Sequence, residues 1–157
     1  MSSSQSVGDE LWAERGTANA DEQEVAKFSR RRGNVAGVHI IGRRRWNRRG
    51  AMVTDRYLQV HHQPSVQDFA TWLQTAGYVA IGVDNLSGAV PLESYELPER
   101  VCIVFGSEGP GLTAELVSAC HAVVGITQYG STRSLNAGAA AAIAMYHWAL
   151  RWARPPG

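Results

Sequence analysis

The sequence predicts an α/β fold built on a mostly parallel sheet. Short apolar runs rich in β-branched residues recur at 35–42, 78–83, 101–105 and 122–126. Segments of helical period follow three of them, the last dense in Ala. Gly-rich or polar loops stand after three runs, at 84–88, 106–111 and 128–135. Strands alternating with helices of this length select a parallel sheet, because parallel neighbours need a crossover between them.

Composition bounds the rest. The chain has 157 residues, 45% of them hydrophobic, which suits one domain with a real core. No apolar run reaches the length of a membrane span, and the Ser-rich first eight residues lack the apolar stretch of a secretory signal. Cys102 and Cys120 sit in apolar contexts. Thiols in a reducing cytoplasm are favoured there over a disulfide. No Cys/His spacing suggests a metal. The net charge of +1 hides an asymmetry: Arg30, Arg31, Arg32, Arg43, Arg44, Arg45, Arg48 and Arg49 crowd one interval, with Trp46 and Asn47 among them. Such a block suits phosphate contact and base stacking; a solvated loop or a subunit contact is the plainer reading.

The elements follow in order. Residues 1–33 form a polar arm whose apolar density is too low for a core strand. Val25 and Phe28 mark one face of a short helix over 20–31. The run 35–42 is the first convincing strand, 43–50 a basic loop or short helix, 51–56 a helical turn and 57–61 a short strand. His61 and His62 read as surface residues at a strand end rather than as a catalytic pair. A helix opens with Ser65 as N-cap and Asp68 at the capping-box position, carries Val66, Phe69, Ala70 and Leu73 on one face, and ends at Gly77. After the strand 78–83, an extended connector over 91–98 leads to the strand 101–105. The loop 106–111 holds three Gly and a Pro, followed by a helix over 113–120. The strand 122–126 leads through a polar loop to a long Ala-rich helix over 136–151. Residues 155–157 are a frayed tail.

Two stretches carry a family resemblance. Phe-Gly-Ser-Glu-Gly-Pro-Gly-Leu at 105–112 resembles motif 2 of the SpoU/TrmH family of RNA ribose 2′-O-methyltransferases, in the SPOUT class. Ser-Thr-Arg-Ser-Leu-Asn-Ala-Gly-Ala-Ala-Ala-Ala-Ile-Ala at 131–144 resembles its motif 3, and the spacing between the two fits. The resemblance implies a SPOUT-type sheet with a C-terminal trefoil knot over a methyltransferase domain of 34–154, preceded by a poorly ordered or atypical arm of 1–33. It implies S-adenosyl-L-methionine as cofactor, tRNA or rRNA as partner, a homodimer and a cytoplasmic location. Gly106, Ile126 and Leu135 are the implied cofactor contacts, largely through main-chain groups. Glu108, Ser134 and Asn136 are the polar residues implied in catalysis, with Asn136 also placed to cap its helix. Read without the family, Ile126 and Leu135 are core residues and Glu108 a solvated turn carboxylate.

The sequence departs from the family in one place. Motif 1 normally sets an Asn, a Gly and an Arg ahead of the strand matched by 38–42, and that Arg is usually credited with activating the 2′-hydroxyl. The interval 19–32 holds no Asn-x-Gly-x-x-x-Arg, and the strand that normally precedes motif 1 is not recognisable. Cofactor binding is therefore expected, with weak or no methyl transfer. The alternative is a non-catalytic RNA-binding or assembly module that keeps the cofactor pocket. A dinucleotide-binding domain fits poorly, because 106–111 lacks the required glycine pattern. The small-residue helix with Tyr146, Trp148 and Trp152 suits a helix-mediated homodimer; packing inside the domain is the plainer alternative.

Overall fold

In the computed structural model, the described residues are 25–31, 34–42, 60–106, 110–130, 135 and 137–153. The expected basic loop at 43–50, the helical turn at 51–56 and the tail at 155–157 lie outside them. The elements run β1 (Val25–Arg31), β2 (Asn34–Ile41), β3 (Val60–Gln63), α1 (Val66–Ala76), β4 (Val79–Val83) and β5 (Val90–Pro91). A single 3-10 turn, Leu92–Ser94, precedes β6 (Val101–Phe105), α2 (Ala114–Ala119), β7 (Ala122–Gly125) and α3 (Ala137–Trp152).

The sheet has the order β3-β2-β1-β6-β4-β7-β5. Pairing is parallel for β2 with β3, β4 with β6, β4 with β7, and β5 with β7. It is antiparallel on both sides of β1. The fold is thus α/β with a mostly parallel sheet.

β1 corrects the sequence reading. Residues 20–31 were expected to hold a short helix in an arm unable to supply a core strand. Instead Val25–Arg31 is a strand between β2 and β6. The helical pattern rested on Val25 and Phe28 alone. Long-range pairing decides the matter: β1 shares a ladder with β2 from Val25↔Ile41 to Arg31↔Asn34, and Phe28 also stands opposite Ile103 of β6. The connector over 91–98 is likewise not simply extended, since it begins in β5 and the 3-10 turn.

Pleating sorts the side chains of the sheet to two faces. Ile81 and Val83 of β4 and Val101, Ile103 and Phe105 of β6 pack with Ala141, Ala144, Met145 and Trp148 of α3. Ala80, Cys102 and Val104 face the other way, with Val66, Phe69 and Leu73 of α1 and Leu116 of α2. Three layers result, with α3 on one side and α1 and α2 on the other.

Helix ends follow their local chemistry. Ser65 caps α1 by accepting the Asp68 N–H at 3.1 Å, and its hydroxyl donates to the Asp68 carboxylate at 2.8 Å. Gly77 ends α1 in the left-handed conformation. Arg100 then covers that end, donating to the Ala76 and Gly77 carbonyls at 2.6 and 3.2 Å while its guanidinium lies 4.5 Å from the Tyr78 ring centre. Thr113 caps α2 by accepting from the Leu116 N–H. His39, to which the sequence assigns no role, is buried; its ring stacks on the exposed His61 and meets Trp72 at a tilt. His62 is tied to the Gly42 carbonyl. No disulfide joins Cys102 and Cys120.

Candidate functional site

β4, β6 and β7 run parallel and adjacent, so their carboxyl ends finish at one edge of the sheet. Asp84, Gly106 and Ile126 are the residues that leave those ends. In open α/β sheets ligands lie outside such ends.

Asp84 binds the edge together. Its N–H donates to the Val124 carbonyl at 3.0 Å, fixing the end of β4 to β7. Its Oδ2 accepts the Leu112 N–H at 3.0 Å, and its Oδ1 accepts the Asn85 N–H at 2.8 Å. One carboxylate thereby fastens the far side of the 106–112 loop to β4. The sequence places 84–88 among three loops on the ligand side of the sheet but gives Asp84 itself no role. The available signal was an acidic residue directly after a buried strand, at the start of one of three loops sharing an edge.

The glycines make this closure possible. Gly111 has φ of 71°, and a Cβ there would lie 2.4 Å from Asp84 Oδ2. A Cβ on Gly106 would lie 2.0 Å from the Gly111 carbonyl carbon and 2.3 Å from the Leu112 nitrogen. The close approach that Gly106 permits is therefore first an approach of the chain to itself.

After β7 the chain runs past the connector. Ile126 is half-buried against the α3-side core. The Thr127 hydroxyl donates to the exposed Glu93 carboxylate. That bond, with Glu93's own backbone amide and the positive field of His147 adding to it, holds the Glu93 carboxyl below its ordinary pKa. Gln128 has its amide Nε2 shut away from solvent with no partner among the described residues. Tyr129 is 96% exposed, and Leu86 and Leu135 are exposed at 38% and 40%.

Of the residues expected to form the site, Gly106 and Ile126 stand at the same sheet edge. Leu135 lies just ahead of α3 with an open side chain. Glu108, Ser134 and Asn136 lie outside the described residues. Asp84 and Gln128 are the polar residues that the sequence reading did not assign.

At the edge itself Ile126 is half-buried, and Leu86, in the loop that leaves β4, is exposed. The sequence also matches the model of the SpoU rRNA Methylase family over residues 31–146, well over half of the chain. The chain belongs to the SpoU rRNA methylase family.

Individual relatives agree. A tRNA (guanosine(18)-2'-O)-methyltransferase of Borreliella burgdorferi is 26% identical over 136 residues, covering 83% of this chain and 62% of that protein. An uncharacterized tRNA/rRNA methyltransferase of Mycolicibacterium vanbaalenii is 40% identical over 76 residues, covering 46% of this chain and 21% of its own length. Among solved structures, the SpoU methyltransferase AviRb from Streptomyces viridochromogenes, in complex with AdoMet, superposes with a TM-score of 0.62 at 21% identity, covering 73% of this chain and 47% of that one. An AdoMet-bound rRNA methyltransferase from Sinorhizobium meliloti gives 0.62 at 22% identity, covering 75% and 47%. These two superpositions support the fold. The chain spans less than two thirds of the length of each of these relatives.

Proposed function

We propose that this SpoU-family chain binds S-adenosyl-L-methionine at the edge formed by Asp84, Gly106 and Ile126 and serves RNA ribose 2′-O-methylation on tRNA or rRNA. The observation that carries the reading is the Asp84 tie, which fastens the glycine-bearing loop of motif 2 beside β4 and β7 in a chain that matches the family over 31–146. Main-chain groups at Gly106, Ile126 and Leu135 would hold the adenosyl part, with Ile126 and Leu135 as apolar walls. The cofactor would supply a methyl group on a sulfonium. The chain's task is to hold a ribose 2′-hydroxyl in line with that carbon and to take up the hydroxyl proton. Glu108, Ser134 and Asn136 are assigned to that polar work. The Arg-rich interval around 43–49 is assigned to RNA phosphates, so RNA affinity should fall steeply with salt.

A second reading has its own support. β1 and β2 are joined by only two residues, with Arg31 opposite Asn34. That connection has no room for the loop and helix of motif 1 ahead of β2, which favours a chain that binds cofactor and RNA but transfers methyl groups weakly or not at all. Calorimetry with S-adenosyl-L-methionine and tritium transfer to tRNA and rRNA separate the cases. Binding with strong transfer supports the first reading and excludes the second, binding with little or no transfer supports the second, and failure to bind the cofactor sinks both.

The assembly belongs to the same proposal. The C-terminal segment from β7 through α3 is assigned to the trefoil knot of the SPOUT class. A homodimer is assigned to α3, where Ile143, Tyr146 and Leu150 are exposed at helical spacing. Of the three aromatic anchors read from the sequence, Trp148 and Trp152 are used within the chain, donating to the Glu99 and Leu97 carbonyls, and Tyr146 alone stays open. Among the described residues no helix is long and apolar enough to cross a membrane. A cytoplasmic location is the setting that an RNA substrate and two thiols would share.

A further inference from the structure

Gln128 is the residue at this edge whose chemistry is left unused. It stands three positions beyond the end of β7, after Ile126 and Thr127. Thr127 spends its hydroxyl on Glu93. The Gln128 amide nitrogen is closed to solvent and meets no acceptor among the described residues. A buried N–H that finds no acceptor carries the full cost of leaving water, so native chains rarely keep one. A Leu or Met would fill the same space without that cost. A donor held there in the free chain is accounted for by an acceptor that arrives with a ligand, which must displace what closes the nitrogen off from solvent as it binds.

We propose that the Gln128 side-chain amide donates a hydrogen bond to an acceptor atom on the adenosine moiety of the cofactor. The residue would then be a specificity-determining contact made by a side chain, in a site otherwise assigned to main-chain groups. Adenosine suits the position: its ring nitrogens accept hydrogen bonds in the plane of a flat apolar surface, and Ile126, two residues away, is half-buried at the same edge. The inference rests on the cofactor reading above and adds to it the atom that recognises the nucleoside.

Its test separates the two. Wild type, Gln128→Met and Gln128→Glu are titrated by calorimetry with S-adenosyl-L-methionine and with 5′-methylthioadenosine, which lacks the amino-acid end, and each free protein is melted. Loss of one neutral hydrogen bond weakens binding about 3- to 10-fold. Gln128→Met should show that loss with both ligands and should melt no lower than wild type, since it removes an unpartnered donor. Gln128→Glu, which keeps the length but offers a carboxylate in place of the donor, should lose more than Gln128→Met. Equal affinities for wild type and Gln128→Met overturn the proposal while leaving the cofactor reading intact. So does a lower melting temperature for free Gln128→Met, which would mean that the amide serves an acceptor within the chain. A loss seen with S-adenosyl-L-methionine but not with 5′-methylthioadenosine also overturns it, because the contact would then lie on the amino-acid end. Absence of wild-type binding overturns the cofactor reading and this proposal with it.

Discussion

Gly106 and Asp84 shape the edge by complementary means, one by having no side chain and the other by having a short acidic one. A methyl group at Gly106 would stand 2.0 Å from the Gly111 carbonyl carbon. That neighbour is backbone and cannot swing aside, so Gly106→Ala forces the loop open. Overpacking of this kind costs about 1–3 kcal/mol. Thermal melts should show the loss, and calorimetry should show cofactor affinity falling with it. Asp84→Ala leaves the Leu112 N–H without its acceptor, an omission worth about 1–3 kcal/mol for a group shielded from water. Its signature should be the same loosening of the loop without any clash. Glu93 allows a pH test. Its carboxyl pKa is lowered from 4.5 chiefly by the Thr127 hydroxyl. The folded state thus favours the carboxylate; the associated stability is present above the ordinary value and drains away as pH falls through the lower folded value. An NMR titration of Glu93 should move upward toward 4.5 in Thr127→Val.

Helix α3 shows how an element is secured by contacts its own pattern does not reveal. The segment that leads from the 3-10 turn to β6 runs beside it, and four side chains of α3 reach that segment. His147 pairs with the Tyr95 carbonyl at 2.9 Å, Trp148 with Glu99 at 3.3 Å and Trp152 with Leu97 at 2.8 Å, while Arg151 bridges Glu96 at 2.7 Å. The Arg151–Glu96 pair is exposed and contributes little. The Trp152 bond is partly buried, so Trp152→Phe should cost about 0.5–1.5 kcal/mol in a denaturant melt while leaving the helix in place. The existence of α3 was legible because Ala at 137 and 139–142 suits a helix whatever surrounds it. β4, β6 and β7 were legible because their apolar runs are short and bounded. The termini of α1 were legible because Ser65 and Gly77 act locally. β1 was not, since its strand state depends on partners at 34–41 and 102–104, far from anything its own seven residues encode. The site divided in the same way. Gly106 and Ile126 stood out by motif, whereas the role of Asp84 depends on Leu112, 28 residues away, and the isolation of the Gln128 amide is visible only in three dimensions.

At the scale of the whole molecule, the open question is what covers the outer face of α3. A helix of 16 residues spans about 24 Å. Its inner side is filled by Ala141, Ala144, Met145 and Trp148, all buried. Its outer side carries Ile143 at 41%, Tyr146 at 62% and Leu150 at 68% exposure, and Tyr129, ahead of the helix, is 96% exposed. Two turns of large apolar side chains facing water fit an isologous contact, in which the same stripe on a second copy buries them mutually. Small Ala residues on the flanks would let the two backbones come close enough for Tyr146 to pack at the centre. If so, a charge placed in that stripe is desolvated on association and has no partner, which costs far more than the contact it replaces. Tyr146→Glu and Leu150→Arg should therefore convert the chain to a monomer in sedimentation while leaving its circular dichroism unchanged, because neither position contributes to the inner core. A wild-type monomer at high micromolar concentration, or variants that sediment like wild type, would assign the stripe to some other contact.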